Sequence, residues 1–410
     1  MVRPMVGAAG CEDKPASPFL DRAGRLCYKV PGSLLMALPR SLVALWTAAA
    51  LVLAAACGKR VVVGVVLPET GSAAVYGTSL RSGIELAFEA APPGTLRRAR
   101  VTVEYRDSGS DPARAVAAAE ALFDRGAVVV IGGATTAEAR AMIATADRRE
   151  RVLLSPSASA PELARLSRYF FRVYPSDELE GVAAADLLAV TLSARRVVVV
   201  EEENDYSRGL LPVFVAELTS RGGRMTASIH TGGDAWQRAL LDAVRAGADA
   251  VYVCGYGDAI LEALRTLRVG AFAGPVCTTS AIGSGALLQR AGGFADGVYL
   301  PLATVDPAAG PSGHDFVARY RAEFGLLPDV YAAHGFDAAL AVRAALERAP
   351  ELRGSSVREA LHSLAGVSGV MGELAFDDLG NVHRRLGIYR IRGGRLEAWQ
   401  RGAATAAEAR

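Results

Sequence analysis

With 410 residues the chain is too long for one ordinary hydrophobic core, and 51% hydrophobic with 21% charged residues describes packed globular protein rather than disorder. A formal net charge of +2 excludes a broad basic surface of the kind that holds nucleic acid. Five cysteines (Cys11, Cys27, Cys57, Cys254, Cys277) form no Cys-x-x-Cys pair, and the histidines show no metal-ligand spacing, so neither a metal site nor a cofactor is expected. Cys254 and Cys277 read as small apolar core residues, with a disulfide between them as the alternative.

In chain order, the first strong signal is Ser41–Ala56, an uncharged run that follows Arg40 and ends at Cys57. A basic start, small residues at the end and a length short of the roughly 20 residues of a membrane span predict a signal peptide over 36–56. The run resembles the lipobox of bacterial lipoproteins, which implies a lipid on Cys57. Ala54 stands where that motif usually has leucine, and leaves ordinary secretion or a retained membrane anchor as alternatives. Residues 1–35, with Glu12, Asp13 and Asp21, do not suit a signal peptide; they read as a non-native or disordered extension, with translation starting at Met36.

Val61–Leu67 is a continuous apolar run, as a buried parallel strand should be. A helix over 78–91 places Leu80, Ile84, Ala87, Phe88 and Ala91 on one face. Val101–Tyr105 alternates as a strand, and Asp111-Pro112 supplies the cap and first-turn proline of a helix to Phe123. Strand 127–131, helix 136–148 and strand 152–154 follow. The rhythm restarts after Pro175, where Asp177 reads as the cap of a helix to about Thr191. Strands 196–200, 224–229, 249–253 and 274–277 then alternate with helices 207–221, 234–246, 257–268 and 284–292, closing on 297–300. Such alternation predicts an α/β fold of right-handed βαβ units, here two doubly wound parallel-sheet lobes. The last hundred residues break the rhythm with helices 312–324, 331–348 and 355–364 and strands 373–376 and 385–391.

Phosphate loops, nucleophile elbows and His-Glu-x-x-His are missing, and Gly255-Tyr-Gly257 lacks the third glycine of a dinucleotide fingerprint, Ile260 standing in its place. Chemistry concentrates instead at the carboxyl ends of the predicted strands, where open α/β sheets bind ligands. Tyr76 lies in the first loop, Thr135 and Thr136 follow Gly132-Gly-Ala, and Ala158 and Ser159 lie in Ser155-Pro-Ser-Ala-Ser. Hydroxyls and free N–H groups at helix starts hold a carboxylate without a formal positive charge. Tyr206 and Tyr256 follow strands of the second run and are placed to close over a ligand. The competing reading of each is a helix cap or a packed loop tyrosine.

From Val62 to Trp399 these pieces come in a recognisable order. They include Tyr76-Gly…Gly83-Ile-Glu-Leu-Ala87, Ser155-Pro156…Pro161-Glu-Leu163, Phe171-Arg172…Pro175-Ser-Asp177, Asp205-Tyr206, Phe336-Asp337-Ala338 and Phe376-Asp…Gly380. The chain resembles the type 1 periplasmic binding proteins, specifically the leucine/isoleucine/valine-type solute-binding proteins of ABC importers. The resemblance implies lobes at 57–177 plus 304–375 and 178–303 plus 376–410, joined by three hinge crossings, with a small amino-acid-like ligand clamped between them. It also implies a permease partner and an extracytoplasmic, lipid-anchored location. Ligand carboxylate would fall on Thr136, Ala158 and Ser159, with Tyr206 and Tyr256 as aromatic cover. Where such binders place an acid for the ligand ammonium, this sequence has Ser280, which leaves Asp258, Glu69 or Asp107 to substitute, or a carboxylate or amide as ligand. A receptor of the same fold that senses rather than delivers is the other reading.

Overall fold

The computed structural model describes residues 19–20, 26–27, 59–89, 99–303 and 311–400. Strands β1 (Phe19–Leu20) and β2 (Leu26–Cys27) form a two-residue antiparallel pair. The extension over 1–35 otherwise, the signal peptide over 36–56 and Cys57 lie outside the described residues.

Gly58–Arg410 is one compact unit built on two sheets. The first contains β3 (Lys59–Leu67), β4 (Ala99–Asp107), β5 (Ala127–Gly132), β6 (Val152–Ser155) and β7 (Phe170–Arg172), all parallel, in the order β4-β3-β5-β6-β7. Its crossings are helices α1 (Ala74–Glu89), α2 (Pro112–Asp124) and α3 (Thr136–Arg148). Strand periodicity of two sorts β3 into two cores: Val61, Val63, Val65 and Leu67 enter one, Val66 the other.

The chain then leaves through α4 (Asp177–Ala185), prolonged by a π-helical turn over Asp186–Thr191. It builds β8 (Arg196–Glu202), α5 (Asp205–Ser220), β9 (Arg224–Thr231), α6 (Trp236–Arg245), β10 (Ala250–Cys254), α7 (Gly257–Val269), β11 (Val276–Thr278), α8 (Gly285–Ala291) and β12 (Tyr299–Leu302). In β8 the same sorting recurs, with Val198 and Val200 in one core and Val197 and Val199 in another. Helices α9 (Pro311–Phe324), α10 (Val330–Arg348) and α11 (Gly354–His362) return to the first sheet, α10 against α1 and α11 against β5 and β6. A hairpin of β13 (Ser368–Gly369) and β14 (Gly372–Glu373) follows, then β15 (Gly387–Arg392) and β16 (Arg395–Ala398). These last two run antiparallel on the edge of the second sheet, whose order is β16-β15-β12-β11-β10-β8-β9.

The α1–α10 contact depends on two glycines. A Cβ at Gly83 would stand 1.9 Å from the Ala332 carbonyl oxygen, and one at Gly335 would stand 2.2 Å from that of Leu80. Each helix thus presents bare backbone to the other, and any side chain would force them apart.

Several sequence expectations are corrected. The first helix begins at Ala74, four residues earlier than its apolar stripe suggested, so Tyr76 sits in its first turn and not in a loop; Ala91 lies outside the described residues. The cap of α4 is Ser176, whose hydroxyl accepts from the Glu178 N–H at 3.4 Å; Asp177 is the first helical residue, and its side chain is turned inward. No strand spans 373–376: Glu373 ends the short hairpin, and Phe376 makes only an isolated bridge to Val382. Strands β7 and β16, three and four residues long, were too short to stand out from their flanks. Cys254 and Cys277 are buried free thiols.

Candidate functional site

The residues singled out at the strand ends converge where the two sheets' carboxyl edges face each other. On the first lobe Thr135 caps α3: its hydroxyl accepts from the Glu138 N–H at 3.3 Å, and Glu138 reaches back to the Thr135 N–H at 3.2 Å. That reciprocal cap commits Thr135 to structure. Thr136, one residue on, is buried, and its Oγ1 makes no well-directed hydrogen bond among the described residues. The Ala158 N–H is also committed, donating to Ser155 Oγ at 2.9 Å. Ser159 is buried, with its hydroxyl beside the Asp177 carboxyl.

The second lobe supplies Tyr206 at the start of α5, Tyr256 before α7 and Ser280 after β11. Tyr206 and Tyr256 stack with centroids 4.8 Å apart, and the Tyr256 hydroxyl lies against Thr136. Tyr76 packs 5.9 Å from Tyr256 and 4.7 Å from Tyr331. Tyr331 in turn stacks on Tyr174, centroids 6.2 Å apart, and Tyr174 meets His334 at 4.5 Å. The rings form a continuous apolar wall across the junction, and burial raises the hydroxyl pKa of every tyrosine in it, keeping each a neutral donor. Burial likewise lowers the pKa of His334, whose ring nitrogens find no partner among the described residues.

The structure brings Ser280 to a residue the sequence did not single out. Glu180 Oε1 accepts from the Ser280 N–H at 2.7 Å, and Glu180 Oε2 accepts from the Ser280 hydroxyl, also at 2.7 Å. Ser280 Oγ accepts from the Tyr174 hydroxyl at 3.0 Å, and the Tyr206 hydroxyl reaches Glu180 Oε1 at 3.4 Å. The acid missing at position 280 is therefore present in space, carried by α4, a hundred residues away in sequence. One turn earlier on the same helix, Asp177 is fully buried, and neither carboxyl oxygen makes a well-directed hydrogen bond among the described residues.

The three acids considered as substitutes are engaged elsewhere. Asp258 is exposed and paired with Arg290 at 2.5 Å, and Glu69 is paired with Arg81 at 2.6 Å. Asp107 accepts from the Thr70 hydroxyl at 2.6 Å and the Gly109 N–H at 2.7 Å, bonds that hold its carboxyl below the usual range against the opposing effect of burial.

Polar contacts seal the junction. The Gly257 N–H donates to the Tyr76 hydroxyl at 2.9 Å, and Asp329 Oδ2 accepts from both Ser79 Oγ at 2.8 Å and the Gly285 N–H at 3.0 Å. Arg140 of α3 pairs with Asp205 of α5 at 3.3 Å. A separate open groove of about 640 Å³ lies on the outer side of the second lobe, lined by Leu241, Leu261, Val269 and Phe294 among others. It has none of the convergent buried hydroxyls and carboxyls of the junction. Among the described residues no cluster of three or more His, Cys, Asp or Glu has the arrangement of a metal site, and no helix is long and apolar enough to cross a membrane.

Residues 60–395 match the family model described as periplasmic binding protein. The chain is similar to Leu/Ile/Val-binding protein homolog 3 of Brucella melitensis, 25% identical over 343 residues that cover 82% of this chain and 92% of that protein. Its fold is similar to that of a leucine-binding protein from Thermotoga maritima, with a TM-score of 0.78, 25% identity, and coverage of 83% of this chain and 98% of that one. An ABC-transporter solute-binding protein of R. palustris, solved with benzoate, aligns with a TM-score of 0.75 at 21% identity, covering 83% of this chain and 95% of that one.

Proposed function

We propose that this chain, which belongs to the periplasmic binding protein family, captures a small amino-acid-like solute outside the cytoplasm and delivers it to an ABC importer. One observation carries the reading: a buried junction between two lobes has hydroxyls at a helix start on one side and carboxyls on the other, matching the two ends of a zwitterion. Thr136 Oγ1 at the amino-terminal end of α3 meets the ligand carboxylate, where the helix dipole favours negative charge. Tyr76, Tyr206 and Tyr256 enclose the aliphatic part, and Ser159 stands beside Asp177 towards the acidic end. Relatives named for leucine, isoleucine and valine binding support the same class. An uncharged-tail carboxylate is the second reading, favoured by the benzoate-bound R. palustris structure.

The apolar run ending at Cys57 supports a lipid anchor that holds the protein in the cell envelope. Mass analysis of the amino-terminal peptide checks this: a diacylglyceryl adduct on Cys57 is expected, and Cys57→Ser should release the protein to the soluble fraction. For the ligand, thermal unfolding is followed against aliphatic amino acids, short-chain and aromatic carboxylates, and amides. A ligand at 100 times its Kd stabilises the native state by about 2.7 kcal/mol. A rise in Tm with aliphatic amino acids is the expected result; a rise with carboxylates alone selects the second reading.

A further inference from the structure

Asp177 and Glu180 stand three residues apart on α4 inside the junction, both buried and close enough to raise each other's charge cost, yet their carboxyls are treated very differently. Glu180 accepts three hydrogen bonds, from the Ser280 N–H, the Ser280 hydroxyl and the Tyr206 hydroxyl. Asp177 has only the Ser159 hydroxyl beside it and no well-directed bond among the described residues. Three donors stabilise an ionised carboxylate; a buried carboxyl without them is better off protonated.

The charges around the pair make the same distinction. From β7 comes Arg172, buried, which donates from Nη1 to the Ser159 and Ala160 carbonyls at 2.7 and 2.9 Å and from Nε to Asn381 Oδ1 at 2.7 Å. It makes no ion pair among the described residues, and supplies one positive charge to the region. Glu162, in the loop after β6, is neutralised by its ion pair with Arg140, while Glu178 on the outer side of α4 and Asp377 before β15 act on Arg172 from further out. The other titratable groups facing the pair are neutral when buried: Tyr174 beside β7, Tyr206 on α5, Tyr252 and Cys254 on β10, Tyr256 before α7, Cys277 on β11 and Tyr331 on α10. One guanidinium balances one carboxylate. The second carboxyl needs a proton or a cation.

Resting on the reading of the junction as a solute site, we propose that Asp177 and Glu180 share one exchangeable proton in the ligand-free protein, and that a solute's ammonium displaces it. The carboxyl O–H bond breaks, the proton passes to water, and the ammonium N–H groups donate to the carboxylate left behind. The pair thereby supplies the counter-charge that Ser280 lacks and selects amines over deaminated analogues. Burial, which pushes Glu180 up to about 7 and Asp177 also upward, sets the exchange near neutral pH.

Isothermal titration of the purified protein with leucine in phosphate and in Tris, buffers of small and large ionisation heat, counts the protons. Between half and one proton released per leucine at pH 6.5 is expected, and Kd should fall by up to about tenfold per pH unit from pH 5.5 to 7, then level off. 4-Methylpentanoate, which lacks the amine, should bind without release. Asp177→Asn should abolish release and flatten the pH profile; Glu180→Gln gives the same readout should the first variant not fold. Leucine binding with no proton release and a pH-independent Kd overturns the proposal and leaves the capture function standing. Binding of 4-methylpentanoate but not leucine does the same, whereas a protein that binds no member of the panel overturns both.

Discussion

The hydroxyl of Tyr76, on the first lobe, accepts a 2.9 Å hydrogen bond from the backbone N–H of Gly257, on the second. The Tyr76 side chain is almost wholly buried, so this bond exists only while the lobes are together. Tyr76→Phe would leave the Gly257 N–H buried without an acceptor, a cost of about 1–3 kcal/mol borne by the closed state alone. Ligand affinity should therefore fall roughly 5- to 150-fold by titration calorimetry. Solution scattering should show a larger radius of gyration at subsaturating ligand.

Thr136 is the cleanest probe of the carboxylate end. Because its hydroxyl has only Tyr256 against it and makes no well-directed bond, Thr136→Val should lower Tm by no more than a few °C. The same change should weaken carboxylate binding by roughly 10-fold or more, the worth of a hydrogen bond to a charged group. Thr135→Val should do the reverse, losing stability through the broken cap while sparing affinity.

Stability of the ligand-free protein should fall as pH rises from 5 to 8. Glu180 has its carboxyl raised from 4.5 to about 7 by burial, and Asp177 is raised as well. A raised acid binds its proton more tightly folded than unfolded, so its stabilisation is full at low pH and is lost through the folded pKa. For Glu180 alone the change is roughly 2–4 kcal/mol. Asp107, lowered instead, acts in a more acid window. Buried His334, lowered, opposes the trend below about pH 6.5, and Asp337, raised to about 6, adds to it. The two carboxyls of α4 with Asp337 outweigh the one imidazole. Calorimetry at pH 5 and 8 should show the higher Tm at pH 5, and Glu180→Gln should flatten the slope.

Gly83→Ala and Gly335→Ala should each destabilise by roughly 1–3 kcal/mol, because the added carbon meets carbonyl backbone that cannot turn away. Chemical denaturation of each variant checks this, with a lower midpoint and an unchanged slope expected.

The sequence carried the lobes and most of the wall clearly, and the reasons are local. Val61–Leu67 and Val197–Val200 are hydrophobic on both strand faces, which only a sheet covered on both sides requires, and Asp111-Pro112 fixes a helix start by its own chemistry. Tyr76, Tyr206 and Tyr256 stood at strand ends and were legible from position alone. Glu180 was not. Its partner Ser280 is a hundred residues distant, and nothing in the helix pattern of α4 says that its polar residues face inward rather than to water. Asp177 was misread for the same reason: an acid in a first turn usually serves the helix terminus, and only packing reveals that it does not. Tyr174, Tyr331 and His334 join the wall through contacts between elements that sequence order keeps far apart.

Arg172 fastens more than a loop. Its Nε holds Asn381, the Arg172 N–H donates to the Gly380 carbonyl at 2.9 Å, and the two strands bridge in parallel there. The outgoing segment that leads into α4 and the last segment that leads into β15 are thus riveted side by side at their root. Two straps riveted together bend easily across their common width but resist twisting, as a leaf spring does. A lobe motion about this root would follow one rotation, and each closing would return Tyr76 to Gly257 along the same arc.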